Sequence, residues 1–416
     1  MIWHRSKEAI PASSRQAWLL VGFMWIAYFM NYSDRQVVYS LFPLLKSELH
    51  FTNAQLGLMG SLFQWSYSLC SPIAGQLGDR FSKRRLAVVS LCLWSGVTVL
   101  TGLAYSPIQL MTCQSMLALT QPLFAPAAMA LMANAHGTKT RSRAISVYAT
   151  AQLAGVVMGG WYGGFVAQEF HWRLAFFSLG AVGILYAIPC WGFLRNLNEE
   201  AQVETKKSEG GLAAIVMAKV PTYLFLNLSL AAFSIVQVLL YMWLPNFLYE
   251  KFSLSLADAG FTATVYLQSA TVLGLLAGGW LADWLYGRTK AARIWLLSAG
   301  LLISTPFLYL LGNSSSLFFT KMASLGCGLG TGLFIGNLMI SSFEVVPADT
   351  QASAVGILNF TSGIISGFTA LLAGVWKDSV GIHNMMSFAA LTCLFSGLLL
   401  IVSIKVYFQR DYQRVH

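Results

Sequence analysis

Asp34 and Arg35 stand side by side inside an apolar run that extends from about residue 16 to residue 42. A charge within a hydrophobic segment is costly, on the order of 3 kcal/mol, and is kept where it faces a cavity or a partner. Neighbours on a helix point about 100° apart, so the two do not make one simple ion pair. The planar guanidinium fork suits a carboxylate or phosphate, and Arg35 is read as the anchor for a substrate anion. Asp34 is read as the carrier of a coupling proton or sodium ion. The plainer alternative is a structural pair near one mouth of the segment. Uncharged polar side chains recur in the surrounding apolar runs at helical spacing. Tyr28, Asn31 and Tyr32 share the run with Asp34, and Gln64 with Tyr67, Gln114 with Gln121 and Tyr148 with Gln152 come after it. Later runs hold Gln237, Tyr241 and Asn246, then Tyr266 and Gln268, Asn337 and Ser341, and finally Asn359. Bonding between helices competes for each of them singly; as a set they are expected to line a polar substrate cavity.

The elements that must position these groups are long apolar segments. The chain has 416 residues, 56% of them hydrophobic and 10% charged, against about 25% charged in soluble domains. At about 20 residues per crossing, the hydropathy gives spans at 16–42, 54–78, 85–105, 107–134, 143–167 and 172–194. A second set lies at 221–249, 257–283, 292–312, 316–343, 351–376 and 384–408. Lipid offers the backbone no hydrogen-bond partner, so such spans form helices or closed barrels, and strands of a barrel would alternate in polarity, which these do not. The expected fold is an all-α membrane protein of twelve transmembrane helices in two six-helix halves related by pseudo-two-fold symmetry. Residues 1–194 form the first bundle, the polar stretch 195–220 a cytoplasmic linker, and 221–416 the second bundle.

The net charge of +10 is a matter of topology. With a cytoplasmic N-terminus, the far side holds only Lys46, Arg173, Lys251, Lys321 and Lys377, and Arg35 lies within the first span. All the other Lys and Arg, among the 26 in the chain, fall on the cytoplasmic side, as the positive-inside rule requires. Both termini are expected there, and the basic excess reports contact with anionic lipid rather than nucleic acid. The N-terminal apolar run has no small-residue cleavage site and reads as a retained helix.

Charge also bursts between the second and third spans, as Gly75-Gln76-Leu77-Gly78-Asp79-Arg80-Phe81-Ser82-Lys83-Arg84-Arg85, and a looser copy, Gly279-Trp280-Leu281-Ala282-Asp283-Trp284-Leu285-Tyr286-Gly287-Arg288, ends the second span of the second half. The repeat turns a string of hydrophobic runs into two related halves, a plan common in transporters. The glycines permit close helix packing; Asp79, Arg80, Arg84, Asp283 and Arg288 are expected to act as gating charges that latch the cytoplasmic side shut.

This loop motif resembles the cytoplasmic signature of the major facilitator superfamily, and the resemblance covers nearly the whole chain. Tyr32-Ser33-Asp34-Arg35 is similar to the aspartate–arginine pair of the anion:cation symporter branch, which includes sugar-acid transporters; Spinster-type lipid transporters share much of the pattern. His171-Trp172-Arg173 and Tyr241-Met242-Trp243-Leu244-Pro245 also match. The resemblance implies alternating access between two halves with a small organic anion bound between them. In that branch the fourth helix carries an arginine followed seven residues later by a glutamate. Gln114 and Gln121 occupy those positions, which removes the ionisable groups and calls proton coupling through the fourth helix into question.

These features lead to an expected secondary active transporter of a small carboxylate-type anion, proton-coupled through Asp34 with Arg35 as anchor. An uncoupled facilitator or exchanger, or a carrier of an amphipathic lysolipid-like substrate, is the alternative. An enzyme is not expected: the six histidines are scattered over loops and termini with no metal-binding spacing. No cofactor or metal is expected, and the six cysteines lie in apolar segments without CxxC spacing. The expected setting is a multi-pass protein of a bacterial inner membrane, acting as a monomer, whose partners are a small-molecule substrate and the lipid bilayer. Glu344 is expected to contact the opposite domain, Lys377 and Asp378 to form a pair at the membrane interface, and the glycines of 326–332 to serve close packing or a gate.

Overall fold

A computed structural model describes residues 14–197, 219–347 and 350–416, and every regular element in it is a helix. The principal helices are α1 (Ser14–Ser40), α2 (Asn53–Arg80), α3 (Lys83–Gly102), α4 (Pro107–Ala135), α5 (Thr138–Glu169) and α6 (Trp172–Arg195). After the linker come α7 (Pro221–Phe252), α8 (Leu256–Tyr286), α9 (Ala292–Asn313), α10 (Leu317–Phe343), α11 (Gln351–Trp376) and α12 (Ile382–Gln413). Ten of them hold stretches long and apolar enough to cross a membrane. The other two, α1 and α2, have 27 and 28 residues, enough to cross at about 1.5 Å per residue, but are more polar. They complete the twelve expected from the sequence. The expected linker falls mostly outside the described residues, and Arg195 belongs to the end of α6.

Helix starts are set by local chemistry. Thr52 and Gln55 form a reciprocal capping box at α2. Ser106 accepts from the Gln109 amide where Pro107 opens α4, and Ser255 accepts from the Asp258 amide at α8. Two irregularities were not anticipated. A 3₁₀ turn at Gln121–Leu123 interrupts α4 around Pro122, which has no N–H to continue the ladder. A π-turn at Leu239–Trp243 interrupts α7 just before Pro245.

Within the first six helices α1 packs along α5 and α3 along α6; within the last six, α8 and α9 pack along α10. Glycine makes the closest of these contacts. On α5, a Cβ at Gly159 would strike the Ser33 backbone of α1, and one at Gly164 would strike the α8 backbone at Leu256. The small residues of one helix therefore seat both the charge-bearing helix and a helix of the other half. The glycines of α10 act as close packing: a Cβ at Gly328 or Gly332 would meet the carbonyl oxygens of Leu267 or Thr271 on α8.

The two sets of helices meet along α2–α11 and α5–α8, and the contact is closed on the face where the charges are sparse. There Asn53 Nδ2 donates to Asp378 Oδ1 at 2.6 Å, Ser61 Oγ donates to the Gly367 carbonyl at 2.7 Å, and the Trp65 indole donates to the Ile364 carbonyl at 3.2 Å. Towards the basic face, a Cβ added at Gly75, Gly279 or Gly356 would meet nothing within 4 Å. The halves are splayed on that side.

Lys377 and Asp378 do not partner each other. Lys377 Nζ reaches Glu250 at 2.7 Å, while Asp378 ties the end of α11 to Asn53 of the other half. Glu344 is likewise corrected: it is held by Arg293 of its own half, because Arg293 enters at the start of α9 between the ends of α8 and α10. Arg293 also lies 3.5 Å from Asp283. Burial pushes the Glu344 carboxyl above the ordinary glutamate range, with the guanidinium opposing the shift. Glu344→Ala is expected to leave the mostly buried Arg293 with only the exposed Asp283 as a carboxylate partner and cost about 2–3 kcal/mol, read as a lowered Tm in detergent. Glu344→Gln should lose less, since its amide oxygen still accepts.

Candidate functional site

Between the splayed halves lies a cavity of about 540 Å³, lined by residues of α1, α2, α5, α7, α8, α10 and α11. Arg35 stands in it, and among the described residues it is the only charged side chain of the lining. Its guanidinium carbon sits 4.5 Å from the Tyr67 ring centroid, 4.8 Å from Tyr32 and 5.3 Å from Phe63. Aromatic faces attract a cation without cancelling its charge. Arg35 Nε donates to Gln121 Oε1 at 2.5 Å, and Gln121 Nε2 donates to the Asn31 carbonyl at 3.4 Å. The 3₁₀ turn in α4 presents Gln121 at that point. No carboxylate among the described residues pairs with Arg35. A cation held by neutral groups keeps its attraction for an incoming anion.

Asp34 points elsewhere. It is 3% exposed and does not line the cavity. The Thr98 hydroxyl of α3 lies 3.2 Å from its Oδ2 and 2.9 Å from the Trp94 carbonyl, and Oδ1 has no hydrogen-bond partner among the described residues. The sequence expectation that the adjacent acid and base do not form one pair therefore matches the geometry. Ser33, on the same helix, donates to the Gly155 carbonyl at 3.2 Å and fixes α1 against α5.

Of the uncharged candidates, Tyr32, Gln64, Gln152, Gln237 and Tyr241 line the cavity. Tyr28 stacks on the buried Tyr148 at 4.4 Å and meets Tyr32 edge-on at 5.0 Å, a pile of rings behind the arginine cage. Asn31, Gln114 and Asn246 are buried outside the lining, as is Gln268. Tyr266 lies under Lys321, 5.4 Å from its ring centroid. Asn337 Nδ2 donates to the Leu333 carbonyl and Ser341 Oγ to the Asn337 carbonyl, both within α10. Asn359 is exposed and also outside the lining. Expected cavity positions on α8, α10 and α11 are thus not brought to the site: on α10 Asn337 and Ser341 are satisfied along their own helix, and on α8 and α11 the packing turns Gln268 and Asn359 away from the lining.

Gln36, Tyr39 and Phe63 line the site without having been anticipated. Gln36 was legible, lying four residues after Tyr32; its Nε2 donates to the Tyr241 carbonyl of the other half at 2.9 Å. Phe63 carries no signal that separates it from a lipid-facing phenylalanine.

Of the charges expected to gate, Arg80, Arg84, Asp283 and Arg288 form no ion pair with one another. Arg80 is exposed and Arg84 half-buried; Asp283 meets Arg293, and the Arg288 guanidinium lies over Trp284 at 4.0 Å. The Asp79 side chain lies outside the described residues. No ion pair among the described residues bridges the halves on the basic face.

The model of the family described as Major Facilitator Superfamily matches residues 24–370. The uncharacterized transporter YybO of Bacillus subtilis (strain 168) is 25% identical, over 95% of this chain and 96% of its own. The hexuronate transporter of the same organism is 22% identical, over 96% of this chain and 94% of its own. A crystal structure of a bacterial homolog to the human lysosomal transporter Spinster, in an inward-facing and occupied conformation, superposes with a TM-score of 0.82 at 20% identity. That superposition covers 96% of this chain and 99% of the other, and shows a shared fold.

Proposed function

The chain belongs to the Major Facilitator Superfamily, and we propose that this transporter carries a small organic anion by alternating access, with Arg35 as anchor and Asp34 as proton carrier. The observation that carries the reading is Arg35 itself: a full positive charge in the cavity, held by Gln121 and three rings and by no carboxylate among the described residues. Burying an unpaired cation is expensive, and an anionic ligand supplies what the protein withholds. The sugar-acid names of relatives such as the hexuronate transporter support this class.

The open basic face and closed opposite face correspond to an inward-facing state when the termini are cytoplasmic in a bacterial inner membrane. The first and last six helices then rock as two bundles, joined by the linker at 195–220, with Asp79, Arg80, Arg84, Asp283 and Arg288 drawn together when the basic side shuts. Asp34 fits proton carriage because no cation among the described residues neutralises it. The Thr98 hydroxyl has one proton and two acceptors in reach; a protonated Asp34 donates to Thr98, which then donates to Trp94. Arg35 and Asp34 stand next to each other in sequence but face different neighbours, so α1 carries any link between them. The monomer suffices for this scheme.

Saturable uptake into proteoliposomes tests the class. Organic anions, size-matched cations and neutral polyols are each offered as a labelled probe against an excess of unlabelled organic anion. The expected outcome is uptake of anions alone; saturable uptake of a cation or neutral polyol that organic anions do not compete contradicts the assignment.

A further inference from the structure

The two sides of the cavity differ in where their polar groups stand. Arg35, Gln36, Gln64 and Gln152 supply polar groups from the first six helices, beside apolar Phe63, Val147, Leu153 and Val156, whereas α8 and α10 present Val272, Leu275, Leu276 and Ile335. Met242 and Ala370 extend this apolar wall, and only Gln237 and Tyr241 of α7 interrupt it with larger polar groups. Thr271 also lines it, but its hydroxyl donates to the Leu267 carbonyl of its own helix at 2.8 Å. The amides that would have served substrate hydroxyls on this side, Gln268, Asn337 and Asn359, lie outside the lining.

We propose that the substrate is a compact amphipathic monoanion, an aryl or branched-alkyl carboxylate or sulfonate, rather than a polyhydroxylated sugar acid. This rests on the anion reading above and specifies it. The acid group sits on Arg35 and the neighbouring glutamines, and the apolar body lies against Leu275, Leu276 and Ile335. Hydroxyls turned to that wall give up water without finding a replacement, while an apolar body gains by leaving water. One guanidinium matches one negative charge; a second carboxylate at the far end of the ligand meets no cation among the described lining residues. A cavity of about 540 Å³ is in the range of small-molecule sites. The wall, not the anchor, sets the choice between anions.

Calorimetric titration of the purified full-length protein with phenylacetate and with D-glucuronate, both monoanions at neutral pH, separates the two chemistries. Phenylacetate is expected to bind at least tenfold more tightly, about 1.4 kcal/mol, and Arg35→Ala to remove both bindings. Ile335→Asn should bring the ratio towards one by giving hydroxyls a partner, whereas Ile335→Val should preserve it. If Ile335→Asn fails to fold, Leu275→Ser on the neighbouring α8 takes its place with the same expected direction. Glucuronate binding as tightly as phenylacetate, with both lost in Arg35→Ala, overturns the amphipathic assignment and leaves the anion reading standing. Binding of neither anion, or binding indifferent to Arg35→Ala, overturns both.

Discussion

Replacing Arg35 by alanine is expected to lower anion uptake by at least 100-fold, seen mainly as a rise in KM, while the protein still folds and inserts. A charge-assisted, partly desolvated contact of this kind is worth about 3 kcal/mol, and Arg35→Ala removes the only charged group of the cavity lining among the described residues. Lysine should not restore function: three rings at 4.5–5.3 Å from the guanidinium carbon favour a flat cation, and a compact ammonium keeps neither the stack nor the fork. Gln121→Glu is expected to weaken uptake as well. A carboxylate in place of the amide that now receives the Arg35 Nε–H would neutralise the guanidinium and compete with the ligand. Initial uptake rates over a substrate series, with folding checked by gel filtration, distinguish these variants.

The second large effect is expected at Gly260. A Cβ there would collide with the Gly160 carbonyl oxygen, so Gly260→Leu wedges α5 and α8 apart on the face that is now closed. Closure of that face is one of the two states alternating access needs. Transport is therefore expected to fall by more than tenfold, while the loosened face becomes reactive to a water-soluble maleimide at a cysteine introduced at Asn53, in a background freed of native cysteines. Full transport in Gly260→Leu, or an unreactive Asn53→Cys in that variant, would show that the glycine contact is not the seal.

Much of this architecture was legible before any coordinates. Apolar runs of bilayer length force helices, and the repeated loop at Asp79 and Asp283 marks two related halves. Asp34 and Arg35 announced themselves by the cost of burying charge. Which polar residues reach the cavity was only partly legible, because helix rotation is set by packing. The series Gln237, Tyr241 and Asn246 shows why. Gln237 and Tyr241 line the cavity, and five regular residues past Tyr241 would put Asn246 about 140° round the axis. The π-turn at Leu239–Trp243 takes up roughly one residue of that rotation, so spacing alone does not fix its direction, and Asn246 lies buried outside the lining. On α10 no such break intervenes; Asn337 is simply satisfied four residues back along its own helix. Glu344 was misassigned because its partner, Arg293, begins a different helix and carries no sequence spacing that links the two.

Proton carriage by Asp34 is tested most directly by gradient-driven accumulation. Labelled benzenesulfonate, an anion too acidic to cross the bilayer as a neutral species, is to be followed in proteoliposomes with an alkaline interior, beside counterflow without a gradient. Wild type is expected to concentrate the anion above its external level, and Asp34→Asn to equilibrate it only, while both exchange it in counterflow. Uptake that ignores the gradient in wild type, with Asp34→Asn indistinguishable from it, would contradict proton carriage by Asp34 and leave a facilitator or exchanger.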